Sequence, residues 1–301
     1  MVSVIIPFID ESELLLEALD SVFLQTEKDI EVIAVCNAPL FPENLLPIAD
    51  RSPKIQFIHE PRTGSAHARN AGLQAARGEW VQYLDVDDLL LPEKIKAQTE
   101  MDHADVVVSP HRYRFLSGKE QRSKWLDQDI WEGLLNSGLG STSSMLWKRS
   151  ALIEVNGWNP GYSSHQEYEL LFRMMQARKS IVPVGQAATI VRQRREGSIT
   201  HSSAPVRAIE GIRLREAIWH YLVTLKEDTP LRFEAFRQYI FKQLRNYYRR
   251  QPETALHLYR KYFSDSPFTP RNMHIPGYAF FYRLFGFTRV ESFLAAVAKC
   301  R

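Results

Sequence analysis

Two hydrophobic periods alternate along the first hundred residues. Val2–Pro7 and Ile30–Val35 are nearly unbroken runs of β-formers, and Ile55–His59 and residues 79–84 are shorter runs of the same kind. Each reads as a buried strand. Between them, residues 12–25 place Leu15, Leu16, Leu19, Val22 and Phe23 at helical spacing. Residues 65–78 predict a second helix, with Ser65 as its N-cap and Gly78 as a left-handed stop. Pro92 fits the first turn of a third helix over 92–101. This β-α-β-β-α-β order predicts an α/β fold: a doubly wound, mainly parallel sheet with right-handed crossovers and flanking helices.

Farther along, Asp105–Ser109 and Ser143–Trp147 read as short strands, with an irregular, aromatic-rich stretch at 110–140 between them. Gly157 and Gly161 flank a loop leading into a helix over 165–177. After Pro205 the pattern turns helical, over 206–226, 231–250, 252–263 and about 277–297. The predicted division is therefore an α/β part at 1–204 and a helical C-terminal extension at 205–301.

Composition adds limits. The chain has 301 residues, 45% hydrophobic and 24% charged, as in an ordinary soluble domain. No apolar run approaches the ~18 residues of a membrane span. The apolar opening lacks a basic leader and runs into Asp10-Glu11, so it reads as a strand and not as a signal peptide. Cys36 and Cys300 form neither a metal-type spacing nor a disulfide framework, which points to a reducing, cytoplasmic setting.

Charge divides the chain. Residues 1–200 hold 21 Lys and Arg against 27 Asp and Glu, whereas residues 201–301 hold 17 against 8, a net of +9. Helix 231–250 sets Leu231, Phe236, Ile240 and Leu244 among Arg232, Arg237, Lys242, Arg245, Arg249 and Arg250, and 278–287 is densely aromatic. Two readings fit this region: helices packed on each other and on the first domain, or peripheral attachment of 205–301 to the anionic inner face of a membrane. No nucleic-acid motif accompanies the charge, so nucleic acid is not an expected partner.

The candidate chemistry begins at Asp85-Val86-Asp87-Asp88, directly after the strand at 79–84. Ligands of open α/β sheets bind at the carboxyl ends of strands. Three carboxylates there have no packing role and suit a hard divalent cation held against a diphosphate. As a structural alternative, Asp88 would be an acidic cap for the next helix.

With Asp85-Val86-Asp87-Asp88 stand Ser3-Val4-Ile5-Ile6-Pro7, Ala68-Arg69-Asn70-Ala71-Gly72-Leu73, Gly78-Glu79-Trp80, Asn156-Gly157-Trp158, Gln166-Glu167-Tyr168-Glu169 and Val191-Arg192-Gln193-Arg194. In this order and spacing, from residue 2 to about 200, the chain resembles the family 2 glycosyltransferases of the GT-A fold. The resemblance implies transfer of a sugar, with inversion, from a nucleoside-diphosphate sugar (a uridine diphosphate sugar in the first place) to a hydroxyl of a saccharide or lipid-linked acceptor. It also implies a Mn²⁺ or Mg²⁺ ion and a place in bacterial-type cell-surface polysaccharide or glycolipid assembly. By the same resemblance Asp87, with Asp85, meets the metal, and Glu167 is the base that takes the acceptor's proton. Pro7, Phe8, Asp10, Asn37, Arg69, Asp85, Val86, Arg192 and Arg194 border the donor. Glu169 reads instead as an i,i+4 partner of Arg173, and Asn70 and Gly72 as packing residues.

The chain departs from the family pattern at three places, one of them Glu167, where the family usually has Asp. Val35-Cys36-Asn37-Ala38-Pro39 replaces the usual acidic turn after the second strand, and Phe8-Ile9-Asp10 replaces the common Thr-Tyr-Asn. Asn37 is then the group left to meet a base edge, and Cys36 reads as a small buried filler. Two other classes stay in view: a GT-A-fold scaffold with an eroded site, which the altered turn favours, and a nucleotidyltransferase. The latter would carry a Gly-rich basic loop after the first strand, and Phe8-Ile9-Asp10-Glu11 is neither.

Overall fold

The computed structural model describes residues 1–9, 13–40, 55–193, 204–264, 266–271 and 275–299. The chain divides into two compact units, Met1–Gly197 and Ser198–Arg301.

The first unit contains strands β1 (Val2–Phe8), β2 (Ile30–Cys36), β3 (Ile55–His59), β4 (Trp80–Tyr83), β5 (Asp88–Leu90), β6 (Val106–Val108), β7 (Arg112–Arg114), β8 (Glu120–Arg122), β9 (Leu146–Lys148), β10 (Ile181–Pro183) and β11 (Thr189–Arg192). Its helices are α1 (Glu13–Phe23), α2 (Ser65–Ala75), α3 (Lys94–Thr99), α4 (Ile130–Asn136), α5 (Arg149–Glu154) and α6 (Gln166–Gln176). Seven strands form one sheet in the order β10-β6-β9-β4-β1-β2-β3. Only β9 runs antiparallel within it, against both β4 and β6. The mainly parallel sheet is therefore as expected.

Successive residues of β1 point to opposite faces of the sheet. Val4, Ile6 and Phe8 pack with Leu15, Ala18, Leu19 and Val22 of α1 in one core cluster. Ile5 faces the other way, onto α2, where a Cβ added at Gly72 would overlap its Cγ2. Glycine at 72 is thus a close-approach residue, and helices cover both faces of the sheet. Cys36 is fully buried in the core, as expected.

Several local expectations need correction. Ser65 is the first residue of α2 and Gly64 its N-cap, with no side-chain cap bond. Gly78 does not end that helix in a left-handed turn: α2 stops at Ala75, and Gly78 lies where a Cβ would come within 2.7 Å of Ser3 N. The third helix is shorter than predicted, Lys94–Thr99. Residues Thr142–Ser144 form a 3₁₀ turn, so the strand predicted from Ser143 begins only at Leu146.

The stretch at 110–140 is not irregular. It holds β7, β8 and α4, the last capped by Asp129, whose Oδ1 accepts from Trp131 N at 2.8 Å. β7 and β8 join β5 and β11 in a second, four-stranded sheet ordered β5-β11-β7-β8. That sheet was not expected.

The second unit contains α7 (Ala204–Leu225), α8 (Pro230–Tyr248), α9 (Pro252–Phe263) and α10 (Tyr278–Lys299), the last interrupted at Gly286 (φ 74°, ψ 171°). Phe241 sits among Tyr259, Phe263, Phe268, Tyr278, Tyr282 and Phe287, with ring centroids 4.9–6.5 Å away. Two of the arginines on the basic helix lie inside this unit. Arg237 is buried over Phe268 and donates to Ser266 O and Pro267 O, and Arg245 is paired with Glu291 at 2.6 Å.

Candidate active site

β1 and β4 run side by side, and Leu84 N donates to Ile5 O at 2.9 Å. The acidic loop at 85–88 therefore leaves the sheet at the carboxyl edge of its central strands. Ser143 clamps both ends of the loop. Its hydroxyl donates to Asp88 Oδ2 at 2.6 Å and accepts from Asp85 N at 3.1 Å. Asp88 is no helix cap: it is buried as the first residue of β5. Burial first, and then the charges of Asp85 and Asp87, push its carboxyl well above the usual carboxylate range.

Arg69 is neither a solvated helix arginine nor open to a ligand along its whole fork. It is only 5% exposed, and its guanidinium lies 4.5 Å from the Trp158 ring centroid. Nη2 donates to Asp85 Oδ1 at 2.6 Å, and Nη1 donates to Gln166 Oε1 at 2.7 Å. Gln166 also accepts from Ser65 Oγ at 3.0 Å and opens α6, whose next residue is the half-buried Glu167. One planar cation thus joins the acidic loop to the first turn of α6, a geometry a guanidinium can span and an ammonium cannot. Asn70 secures the same region by donating to Trp158 O and accepting from Trp158 N, both at 2.8 Å.

Glu169, two residues on, is bonded to Arg173 at 2.8 Å as the i,i+4 reading required. Tyr113 of β7 senses both acidic groups through their charge. Burial, and then the negative charges of Glu167 and Asp88, raise its phenol above the ordinary range.

Arg192, at the end of β11, donates through Nε to Asp87 O at 2.5 Å and pairs through Nη1 with Glu17 of α1. Its Nη2 is buried with no hydrogen-bond partner among the described residues. Asp10 and Arg194 lie outside the described residues.

The end of the site near β2 is closed by protein. Asn37 Nδ2 donates to Glu60 O at 2.8 Å and Arg62 O at 2.7 Å, and its Oδ1 accepts from Gly64 N at 3.1 Å. The amide expected to meet a base edge instead pins the 60–64 loop. Phe8 is likewise a core residue, packed edge-on to Phe57 at 6.3 Å, and Val86 lies against the same core. Pro7 is partly buried within β1. A carboxylate does stand at this end: Glu60, which its hydrogen bonds to Arg62 hold down at about 2.

Among the described residues, no group of three or more His, Cys, Asp and Glu side chains could enclose a metal ion. A cation delivered on a diphosphate needs no such cage, since one or two carboxylates plus phosphate oxygens suffice. The donor set fits that chemistry. Asp85 and Asp87 supply hard oxygen ligands, and their charge adds to burial in raising the carboxyl of the neighbouring Asp88. The orphaned Arg192 nitrogen, on the same guanidinium that holds Asp87 O, suits the anion.

Residues 3–164 match the model of glycosyl transferase family 2. The chain belongs to that family. The matched span of this family 2 glycosyltransferase includes Arg69 and the acidic loop and stops just before Glu167. An uncharacterized glycosyltransferase of Rickettsia typhi is 32% identical over 236 residues, covering 73% of this chain and 70% of that protein. Other curated relatives are longer, and the chain spans only about a fifth of their length.

Among solved structures, residues 1–349 of TarS from S. aureus, in complex with UDP-GlcNAc, superpose with a TM-score of 0.60 at 16% identity, covering 85% of this chain and 75% of that one. The mannosyltransferase PcManGT of Pyrobaculum calidifontis, in complex with GDP-Man and Mn²⁺, gives 0.54 at 17% identity over 98% and 86%. The fold of this glycosyltransferase is the GT-A-like α/β fold of those enzymes.

The residues not legible as site residues in the sequence are Ser143, Gln166, Glu17, Glu60 and Tyr113. Gln166 stood next to the predicted base, and Ser143 sat in a run of four hydroxyl residues, Ser141–Ser144. No local pattern marks the other three.

Proposed function

We propose that this family 2 glycosyltransferase transfers a sugar from a nucleoside-diphosphate sugar to a hydroxyl of a saccharide or lipid-linked acceptor, with inversion. The supporting observation is the Arg69 junction, which fastens the acidic loop and the first turn of α6 to one guanidinium. Asp87 and Asp85 would hold the divalent cation that neutralises the charge developing on the departing nucleoside diphosphate, Mn²⁺ or Mg²⁺ by the chemistry of the donor set. Arg192 would meet the diphosphate through Nη2. Glu167 would accept the acceptor's proton as the acceptor oxygen bonds to the anomeric carbon and the bond to the diphosphate breaks on the opposite face. Arg69 sets the spacing of these groups and does not itself react.

A uridine diphosphate sugar is the first donor to test, and GDP-sugars follow because PcManGT was crystallised with GDP-Man. A second reading, a GT-A-fold binding or scaffold protein, is favoured by one observation: the Asn37 amide is fully engaged within the protein, so the usual acidic base-reading turn has no replacement there.

The test is a thermal-shift screen of uridine, guanosine, thymidine and cytidine diphosphates with Mn²⁺. A ligand bound at a hundred times its Kd stabilises the folded state by about 2.7 kcal/mol. A rise of several degrees with one of them supports the transferase. No rise with any of the four selects the scaffold.

A further inference from the structure

The first half of α10 is packed on one side and bare on the other. Tyr278, Tyr282 and Phe287 are buried in the aromatic core of the helical unit. On the opposite side Phe280, Phe281, Leu284 and Phe285 are 48–63% exposed. Their spacing (i, i+1, i+4, i+5) puts all four on one helical face. Their rings order one another: Phe281 stacks on Phe285 at 6.4 Å, and Phe280 meets Phe281 edge-on at 5.6 Å. The helix is anchored by its inner face, so this aromatic ridge is a built surface and not the result of a loose helix. Exposed apolar surface of this concentration marks an interaction site.

The charge around the ridge indicates its occupant. The sole acidic residue of α10, Glu291, is buried and bonded to Arg245 and to Tyr278 Oη at 2.6 Å. The outer face of α10 therefore carries no acidic side chain. Arg283 lies within the ridge segment, and Arg289 is one turn before the exposed Phe293. Tyr248 Oη meets Ser292 Oγ at 2.8 Å, which brings Arg249 and Arg250, at the end of α8, beside the second half of α10. Among the described residues these four arginines form no salt bridge, unlike Arg232, Arg245 and Arg271 of the same unit. A second copy of the chain would oppose this cationic face with an identical one, which disfavours self-association through it. No helix among the described residues is long and apolar enough to cross a membrane, so an apolar contact here lies on a bilayer and does not span it.

We propose that the ridge of Phe280, Phe281, Leu284 and Phe285, with Arg283, Arg289, Arg249 and Arg250 around it, docks on an anionic phospholipid bilayer. The aromatic and leucine side chains enter the boundary between headgroups and acyl chains, and the arginines meet the lipid phosphates. Such docking would hold the enzyme at the surface where a lipid-linked acceptor lies, and it does not depend on which donor the first unit uses.

The test is flotation of the full chain with vesicles of phosphatidylcholine alone or with 30% phosphatidylglycerol. The expected result is binding to the anionic vesicles, weakened by 0.5 M salt. R283S/R289S should weaken binding about thirtyfold, a little over fivefold per arginine. F281S/F285S should abolish binding while leaving the melting temperature and circular dichroism unchanged. Phe281→Trp should add tryptophan emission that shifts to the blue on vesicle addition. Failure of the wild-type chain to float with anionic vesicles overturns the proposal. So does binding that survives F281S/F285S, or a dimer in light scattering that those substitutions convert to monomer.

Discussion

Replacing Arg69 by lysine isolates the junction on which the site is built. The substitution keeps the positive charge but cannot reproduce the fork that reaches Asp85 Oδ1 at 2.6 Å and Gln166 Oε1 at 2.7 Å together. At least one charge-assisted bond is lost, worth ~1.5–3 kcal/mol, with part of the contact over Trp158, worth ~0.5–2 kcal/mol. The Asp85 side chain is 36% exposed, so water replaces some of what it loses. The net destabilisation should be about 2–3 kcal/mol. Urea unfolding of wild type, Arg69→Lys, Asp85→Asn and the double variant forms a cycle whose coupling energy should be about 1–2 kcal/mol. Turnover should fall well beyond the change in donor affinity, because the spacing of Asp85 and Glu167 shifts while the donor's other contacts persist. A coupling energy near zero, or Arg69→Lys within about 0.5 kcal/mol of wild type, would refute the assignment of Arg69 as the link.

Three other perturbations test separate parts of the structure. Ser143→Ala removes the hydroxyl shared by Asp88 and Asp85 N and should destabilise by ~1–3 kcal/mol in urea melts; an unchanged midpoint would show that the loop does not rely on it. Gly72→Ala places a methyl against Ile5 and should destabilise by ~1–3 kcal/mol through overpacking, with a lower Tm and unchanged circular dichroism. His111 is buried with neither ring nitrogen hydrogen-bonded among the described residues, and burial lowers it from 6.5 to about 4. It therefore contributes stability that is complete above pH 6.5 and lost as pH falls toward 4, on the order of 3 kcal/mol at most. His111→Leu should flatten that part of the stability profile, and a profile as steep as wild type would assign the loss elsewhere.

The sheet was legible because β1, β2 and β4 are runs of apolar β-formers whose burial on both faces leaves a continuous signal. The second sheet was not, since Arg112-Tyr113-Arg114 and Glu120-Gln121-Arg122 carry almost no apolar residues and are strands only through their neighbours. Among the proposed site residues, Asp85 and Asp87 drew attention from local context, a strand end, and Glu167 from the family resemblance. Arg69 and Asn37 were read as facing a ligand because their partners lie far away in sequence. Arg69 meets Gln166, 97 residues on, and Asn37 meets the 60–64 loop. Ser143 was read into a strand although the 3₁₀ turn is closed locally, by Ser144 N to Ser141 O at 2.9 Å and Ser141 N to Ser144 Oγ at 2.8 Å; its bonds to Asp85 and Asp88 are the part no local pattern encodes.

The most direct test of sugar transfer at this site is release of nucleoside diphosphate by wild type and Glu167→Gln, with the donor and acceptor found by screening and donor affinity measured in parallel. Removing a general base should slow turnover by about 10²–10⁴-fold and leave donor affinity within about threefold, since Glu167 acts on the acceptor's proton. Turnover of Glu167→Gln at the wild-type rate would contradict the account.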